Sequence, residues 1–393
     1  MNKLVLKRNE DRRIKQGHLW VFSNEIEKIV QSEESGVQNG DLIEINDYRD
    51  NYIATGFYNA NSLITARVLT SRKEFDLSAL LEQKLLASFN FRKTIYPNQN
   101  SFRIVFSESD FLPGLIIDKY NNTFVLQINS FGMERNINLI VKILKEKFCA
   151  ENIFTKNEEY FRQLEGLPAE DKIYSGKIES EIIDDGNVKY KIDFESSHKT
   201  GFYFDQCDNR EFARKFCKGK AVLDCFCNSG GFGLHAAKNG AHTVTFVDSS
   251  KHELENARSN FTLNGFSCES EFVNSDLFDF LEKCVELKRK FDVVIIDPPA
   301  FAKNKKSLSK AIKGYEKLNR LAMEVVNNDG LLFTSSCSYH LKENQFIELI
   351  NSAAIKAGKQ IQLFHFNNAS KDHPVLPSME ETVYLKFAAI KVM

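Results

Sequence analysis

The chain lacks two features that would place it among membrane or metal-binding proteins. No apolar stretch approaches the roughly 20 residues that cross a bilayer, so we expect no membrane-spanning segment. The eight cysteines include no Cys-x-x-Cys pair, so neither a zinc site nor a redox motif is indicated. The opening segment MNKLVLKR has no apolar core of a secretory signal. A cytoplasmic globular protein of two or three domains is predicted.

Excess charge is also lacking, because the net charge is only −1. Binding to phosphate depends on local patches rather than on the total charge, and two stretches of the chain are locally basic. A solvated surface would explain either stretch. The second stretch directly follows an Asp-Pro-Pro segment, which favours phosphate contacts from Lys303, Lys305, Lys306 and Lys310. In the first stretch, Arg12 and Arg13 are the predicted RNA contacts.

Three regions of different pattern follow one another. Residues 1–72 hold short strands rich in β-branched and aromatic residues, which predicts a small β-barrel. Residues 73–195 mix helices and strands and close with a hairpin, which indicates a central α+β domain. From 196 to 393, apolar strands alternate with helices, which predicts a mainly parallel, seven-stranded sheet covered on both faces. The expected fold class is therefore α/β, preceded by the two smaller domains.

A glycine-rich turn follows the first strand of the predicted parallel sheet, in the segment AVLDCFCNSGGFG at 221–233. Glycine lets the backbone approach a ligand closely, although NAD-binding sheets share this pattern. Asp248, Asp276 and Asp297 each follow a later strand, and such an acidic pocket suits a cationic sulfonium nucleoside that carries no phosphate. The sequence therefore predicts S-adenosylmethionine as the cofactor. Any one of these aspartates could instead cap a helix.

The predicted cofactor contacts are the residues at the ends of these strands and in the glycine-rich turn. They are Asp224, Asn228, Gly230, Gly231, Asp248, Ser249, Asp276, Leu277, Asp297 and Pro298.

A carboxylate and a thiol end the fourth and fifth strands of this sheet, at Asp297-Pro298-Pro299 and Ser335-Ser336-Cys337-Ser338. Ligands of open α/β sheets bind at the carboxyl ends of the strands, so we expect both groups in one pocket. Carbon 5 of a pyrimidine is a poor nucleophile, and a thiolate that adds to carbon 6 activates it. A carboxyl group near ring nitrogen 3 can share a proton with the adduct. Cys337 and Asp297 are the predicted catalytic residues of this chemistry.

Two alternatives remain open. An acid followed by Pro-Pro and an aromatic residue is typical of enzymes that methylate exocyclic base nitrogens, although Ala300 intervenes here before Phe301. That reaction would use Asp297 as a hydrogen-bond acceptor and would leave Cys337 as a structural thiol. The other alternative is a non-catalytic RNA-binding assembly factor, against which the retained aspartates and Cys337 argue.

Several motifs point together to one family. They are GHLWVFS at 17–23, ESDFLPGLIID at 108–118, HKTGFYFDQ at 198–206, Asp297-Pro298-Pro299, Ser336-Cys337-Ser338, His373-Pro374 and Tyr384-Leu385-Lys386. With these motifs the chain resembles, over nearly its whole length, the bacterial 23S rRNA cytosine-5 methyltransferases that carry an N-terminal PUA domain.

The resemblance implies an RNA-binding PUA domain at 1–72, a central domain at 73–195 and a Rossmann-like class I methyltransferase domain at 196–393. It implies Cys337 as the nucleophile, 23S rRNA or a large-subunit assembly intermediate as the partner, and a homodimer. It also adds cofactor contacts from the segment that leads into the last domain, namely Lys199, Thr200, Gly201, Phe204, Asp205 and Gln206.

The chain departs from the family pattern at two basic positions. Cys207 stands where a basic residue usually follows Asp-Gln, and Ala300 stands where a lysine usually follows Asp-Pro-Pro. Arg210 and Lys303 are the candidate replacements.

Overall fold

The computed structural model describes residues 2–32, 36–196, 200–302 and 304–393. The chain forms two compact units, each assembled from separate stretches. The first unit comprises Met1–Ile183, Ile192–Phe204 and Asp372–Thr382, and the second comprises Asp184–Lys191, Asp205–Lys371 and Val383–Met393. The sequence-based division into three domains is finer than these units and stays a prediction.

The N-terminal part of the first unit is a six-stranded sheet in the order β2-β6-β5-β4-β1-β3. Only the β1–β4 pairing is parallel among the pairings described for it. Apolar side chains such as Val21, Ile43 and Ala66 are buried inside it. The elements are β1 (Lys3–Leu6), α1 (Asp11–Lys15), β2 (Trp20–Phe22), β3 (Ile26–Val30), β4 (Leu42–Asn46), β5 (Tyr52–Tyr58) and β6 (Ile64–Thr70).

The rest of the first unit contains a five-stranded sheet in the order β11-β10-β9-β8-β7. The pattern predicts one helix over 133–147, but the structure has two helices that meet at Asn136, whose side-chain amide donates to the Gly132 carbonyl and competes with the helical bonds. The elements are α2 (Leu77–Ile95), β7 (Ser101–Phe106), β8 (Leu115–Tyr120), β9 (Thr123–Ile128), α3 (Phe131–Arg135), α4 (Ile137–Phe148), β10 (Asn152–Thr155), α5 (Glu159–Leu164) and β11 (Ile173–Ser175).

Buried ion pairs fix the segment 108–118 within the first unit. Glu108 accepts hydrogen bonds from the Arg67 guanidinium at 2.9 Å and from the Trp20 indole nitrogen at 2.8 Å. Asp110 pairs with the fully buried Arg92, and Asp118 pairs with Arg103 at 2.7 Å. Removing one partner of such a pair leaves an uncompensated buried charge, so this segment is held in one arrangement.

The second unit contains a seven-stranded sheet in the order β16-β15-β14-β17-β18-β20-β19. Neighbours are parallel from β16 to β18, and β20 is antiparallel to both β18 and β19. This sheet confirms the predicted mainly parallel, seven-stranded architecture. Its strands are β14 (Ala221–Cys225), β15 (Thr243–Asp248), β16 (Glu269–Asn274), β17 (Phe291–Ile296), β18 (Val326–Ser336), β19 (Ile361–Asn367) and β20 (Lys386–Val392), and the short strands β12 (Glu181–Asp184) and β13 (Lys189–Ile192) precede them.

Helices alternate with these strands. The sequence pattern predicts helices near 231–239, 251–264, 278–288, 308–327 and 342–357, and five of the observed helices lie within a few residues of these bounds. The sixth, α6, is not predicted, because it is short and strongly polar. The helices are α6 (Cys207–Arg214), α7 (Gly231–Lys238), α8 (Lys251–Leu263), α9 (Leu277–Glu286), α10 (Leu308–Val325) and α11 (Glu343–Lys356).

Close packing of α7 on the sheet depends on a glycine. A β-carbon added at Gly233 would lie 2.2 Å from the Phe246 ring of β15. We therefore expect Gly233→Ala to lower the free energy of unfolding by about 1–3 kcal/mol, because the added methyl group overpacks the core. Urea denaturation measures this loss. Adding Phe246→Leu makes room for the methyl group, so the double variant should lose less than the sum of the single variants; strict additivity would contradict this packing.

Candidate active site

The carboxyl ends of three adjacent strands meet at one edge of the sheet. Cys225 of β14 pairs with Ile296 of β17, and Ile296 pairs with Thr334 of β18. Asp297, the first residue after β17, therefore lies level with Ser335, two residues before Cys337, which follows the end of β18. The register brings the predicted carboxylate and the thiol segment to the same edge.

Asp297 is oriented by Gln206. The Gln206 side-chain amide donates to Asp297 Oδ1 at 2.8 Å and to Ser335 Oγ at 3.2 Å, while its carbonyl oxygen accepts from Asn209 at 2.7 Å. Gln206 and Asn209 are buried, and Asp297 is half-buried. A buried amide thus holds the Asp297 carboxylate and links it to Ser335 near the carboxyl end of β18.

Cys337 lies directly beyond β18. Its thiol is half-buried, and Sγ lies 3.8 Å from the Pro298 carbonyl oxygen. The Ser338 hydroxyl next to it accepts from the Ala302 amide at 3.1 Å and contacts the Tyr315 hydroxyl at 3.0 Å. These bonds fix the backbone on the C-terminal side of the cysteine.

Lys386 adds a cation that the sequence analysis did not identify as a site residue. The antiparallel pairing of β20 with β18 sets Lys386 opposite Ser336. Lys386 Nζ is buried and donates to the carbonyl oxygens of Ser338 and Tyr384, each at 2.7 Å. Burial lowers the pKa of Lys386 to about 8, while the nearby Cys337 acts in the opposite direction. A lysine that begins the otherwise apolar run KFAAI was the available signal.

The glycine-rich turn is formed by residues in unusual backbone conformations. Asn228 and Gly230 have φ values of +49° and +91°, and Gly230 precedes the first residue of α7. A β-carbon on Gly231 would lie 2.6 Å from Arg210 Nε. Arg210 is buried, and its Nη1 lies 4.0 Å from Cys207 Sγ. The candidate replacement arginine therefore reaches the glycine-rich turn from α6.

The aspartates at the strand ends differ in their surroundings. Asp224 is buried and accepts from the Gly233 amide at 2.7 Å, and burial raises its pKa to about 7. Asp248 is half-buried and accepts from the Asn228 amide at 3.0 Å and the Ser250 amide at 2.9 Å. Both carboxylates therefore accept hydrogen bonds from backbone amides of nearby loops or helix starts.

Asp276 caps α9. Its Oδ1 accepts from the amides of Phe278 at 2.8 Å and Asp279 at 3.3 Å, which is the helix-cap alternative stated for a single aspartate. Ser249 is exposed, whereas Leu277 and Pro298 are buried.

The predicted contacts from the leading segment divide between the two units. Thr200, Gly201 and Phe204 belong to the first unit, where Thr200 Oγ1 donates to Asp118 and the Phe204 ring packs on Tyr120. Asp205 belongs to the second unit with Gln206 and accepts from the Tyr384 hydroxyl at 2.6 Å. Lys199 and Lys303 lie outside the described residues. The cofactor role of this segment stays a prediction.

Among the described basic residues that are predicted to contact phosphate, all but one are exposed. Arg13 is the exception, because it forms an ion pair with the buried Glu25. The others are Arg12 in α1, Lys305 and Lys306 in a single 3₁₀ turn, and Lys310 in α10.

The residues present fit S-adenosylmethionine. Asp248 and Asp297 place half-buried carboxylates at the ends of β15 and β17, the two parallel neighbours of β14, and the glycine turn presents backbone with no side chain at Gly230 and Gly231. Within the described ranges, no cluster of His, Cys, Asp or Glu has the geometry to hold a metal ion. No helix among the same residues is long and apolar enough to span a membrane.

Fold and site together define a class I methyltransferase. Residues 169–388 match the family model of S-adenosylmethionine-dependent methyltransferases, and residues 4–71 match that of PUA-like domains. The chain belongs to this methyltransferase family, and S-adenosylmethionine is its cofactor.

More specific relatives match over the whole chain. Ribosomal RNA large subunit methyltransferase I of Klebsiella pneumoniae is 35% identical over 397 residues, which cover 100% of this chain and 98% of the relative. The protein of the same name from Aeromonas hydrophila is 35% identical over 396 residues, with coverage of 99% and 98%.

Two solved structures share the fold over 100% of both chains. The methyltransferase SMU.776, crystallised with S-adenosylhomocysteine, has a TM-score of 0.84 at 20% identity. A S-adenosylmethionine-dependent methyltransferase from Streptococcus mutans has a TM-score of 0.83 at 19% identity.

The raised pKa of Asp224 predicts a pH-dependent affinity for the cofactor. A bound sulfonium cation favours the ionised carboxylate, so binding should release a proton and should weaken by up to about tenfold per pH unit below 7. Asp224→Asn keeps an acceptor for Gly233 and should flatten this dependence. Calorimetry in buffers of different ionisation enthalpy measures the released proton; a wild-type enthalpy independent of the buffer would contradict the prediction.

Proposed function

We propose that the protein methylates carbon 5 of a cytosine in bacterial large-subunit ribosomal RNA, with Cys337 as the covalent nucleophile. The observation that carries this proposal is the arrangement of Cys337 beyond β18 beside the Asp297-Pro298 exit of β17. The names of the full-length relatives support 23S rRNA, or an assembly intermediate that contains it, as the substrate. A cytoplasmic site of action follows from that substrate.

The side chains have separate roles in the proposed reaction. The Cys337 thiolate forms a bond to carbon 6, and the electron pair of the 5,6 double bond makes carbon 5 nucleophilic. Asp297, held by Gln206, exchanges a hydrogen bond or proton with ring nitrogen 3 and stabilises the adduct. The cofactor, when bound, supplies the methyl group. A base then removes the carbon 5 proton, and elimination breaks the sulfur–carbon bond and restores the thiolate.

Lys386 acts as a positioning residue for this nucleophile. Its ammonium group binds the Ser338 carbonyl immediately after Cys337, so it fixes the backbone that carries the thiol. A positive charge in this buried position also favours the thiolate over the thiol.

RNA binding by the remainder of the chain is part of the proposal. The PUA-like domain at 4–71 binds RNA, and Arg12, Lys305, Lys306 and Lys310 provide exposed phosphate contacts. The three-domain boundaries and the homodimer implied by the resemblance stay predictions.

Trapping with 5-fluorocytidine tests the chemistry directly. Fluorine cannot leave as a proton does, so wild-type protein, substituted rRNA and S-adenosylmethionine should accumulate an adduct that mass spectrometry maps to Cys337. Cys337→Ala should form no adduct and lose turnover to background while its calorimetric affinity for S-adenosylmethionine is unchanged. The matched control is Cys268→Ala, since Cys268 is also a half-buried free thiol and should be dispensable.

The competing chemistry gives a different result in the same experiment. A nucleoside methylated on an exocyclic nitrogen, with no protein adduct and with an active Cys337→Ala variant, would replace cytosine carbon 5 methylation by nitrogen methylation. Asp297 would then be the acceptor of the amino protons.

The role of Lys386 has its own signature. Lys386→Met should slow adduct formation and shift its pH profile upward, because the thiolate loses a nearby cation, whereas affinity for S-adenosylmethionine should not change. Lys386→Arg keeps the charge and should recover part of the rate. A slower reaction with an unshifted pH profile would assign Lys386 to backbone structure alone.

A further inference from the structure

A cavity of about 670 Å³ lies in the first unit, whereas the residues of the candidate active site belong to the second unit. It is lined by the α1–β2 loop, the start of β5, the end of β6, α2 and the loop after β7. Its lining is mainly apolar, and the polar residues in it include Lys15, His18, Tyr52, Arg72 and Lys84. The volume and the mixed lining suit a small planar ligand with a charged group.

The cations of this cavity are not all neutralised. Lys15 pairs with Asp11 and Asp47, but none of the described residues that line the cavity is acidic. Lys84 Nζ donates to the Phe111 carbonyl at 2.7 Å, and burial together with the charge on Arg72 lowers the pKa of Lys84 to about 8. An anion bound between Arg72 and Lys84 would offset the cost of burying the Lys84 charge and the repulsion between the two cations.

Phe111 presents an aromatic face beside these cations. Its side chain is 48% exposed, and Lys84 Nζ lies 5.4 Å from the ring centroid. The residue has a φ of 57°, a left-handed conformation that is uncommon for a bulky side chain. Such a conformation persists only when the surrounding structure imposes it, and it is found preferentially at binding sites.

The ion pairs of segment 108–118 impose this conformation. Glu108 and Asp110, on the N-terminal side of Phe111, are buried and bound by Arg67 and Arg92. The Phe111 amide donates to the Glu108 carbonyl at 2.9 Å, which closes the turn. The carboxylates of this motif therefore hold the loop and expose its aromatic tip.

We propose that this cavity binds one nucleotide of single-stranded RNA, with the base stacked on Phe111 and a phosphate between Arg72 and Lys84. The identity of the polymer as RNA rests on the proposed function. An aromatic platform beside two cations is the usual means of binding an unpaired nucleotide without strict sequence preference. The site would hold a flanking part of the substrate, separate from the methylated cytosine.

Binding of a fluorescent single-stranded 20-nucleotide RNA pool, measured by anisotropy at three salt concentrations, tests this site. Phe111→Ala should weaken binding by about 5- to 100-fold through lost stacking. Arg72→Gln with Lys84→Gln should lower the slope of log affinity against log salt by about 0.7, because one phosphate is no longer neutralised. Matched controls are Phe91→Ala, which changes another 48% exposed phenylalanine outside the cavity, and Lys145→Gln on α4; neither should change binding.

Crosslinking of wild-type protein to 4-thiouridine-substituted RNA gives a readout that needs no variant. Crosslinks should map to the peptides that contain Phe111 or Lys84. Unchanged affinity in both cavity variants, or crosslinks found only elsewhere, would overturn the proposal. An unchanged thermal unfolding midpoint in Phe111→Ala shows that weaker binding is not caused by misfolding.

The outcomes also separate this proposal from the catalytic one. If a Cys337 adduct forms and the cavity variants bind RNA normally, the nucleotide site is refuted and cytosine carbon 5 methylation is supported. If the cavity variants bind RNA more weakly and no Cys337 adduct forms, the nucleotide site is supported and the covalent mechanism is refuted. No RNA binding by the wild-type protein would contradict both.

Discussion

Parallel pairing of β14, β17 and β18 is the constraint on which the site depends. Because side chains and chain exits of parallel strands align by register, the pairings of Cys225 with Ile296 and of Ile296 with Thr334 bring Asp297 and Cys337 to one edge. A slip of one residue in either pairing would turn the alternate side chains to the opposite face. The Gln206 side-chain amide, which donates to both Asp297 and Ser335, then fixes the exit of β17 relative to the carboxyl end of β18.

In the first unit, buried arginine–carboxylate pairs have the corresponding role. Such pairs contribute little net stability after desolvation, but each is costly to break, so they select one arrangement of the chain. Arg67 joins β6 to Glu108 and to Glu165, while Arg92 joins α2 to Asp110. The pairs link residues that are 18 to 98 positions apart in the sequence, and Phe111 next to Asp110 remains exposed. The same interaction therefore explains the architecture and the proposed nucleotide site.

The sequence predicted what local pattern controls. The alternation of apolar strands and helices gave β17 at 291–297 and α7 at 231–239, against Phe291–Ile296 and Gly231–Lys238 in the structure. What depends on distant pairing was missed: β1 and β3 pair with each other across twenty residues, and the site of Lys386 exists only through the β18–β20 register. The bond from Thr200 to Asp118 is of the same kind, since no periodicity reveals a partner 82 positions away.

The two departures from the family pattern have different physical consequences. In a helix, residues three positions apart lie on one face, so Arg210 can extend from α6 into the space beside Cys207 and reach Gly231. The presence of glycine at 231 follows from this approach, because any side chain there would meet the guanidinium group. The positive charge of Arg210 therefore lies beside the glycine-rich turn, although the arginine stands about one helical turn after the usual basic position. Ala300, by contrast, lies outside the helices and strands, and its candidate replacement Lys303 is outside the described residues. The first departure therefore preserves a charge next to the cofactor turn, while Asp297 itself is oriented by Gln206.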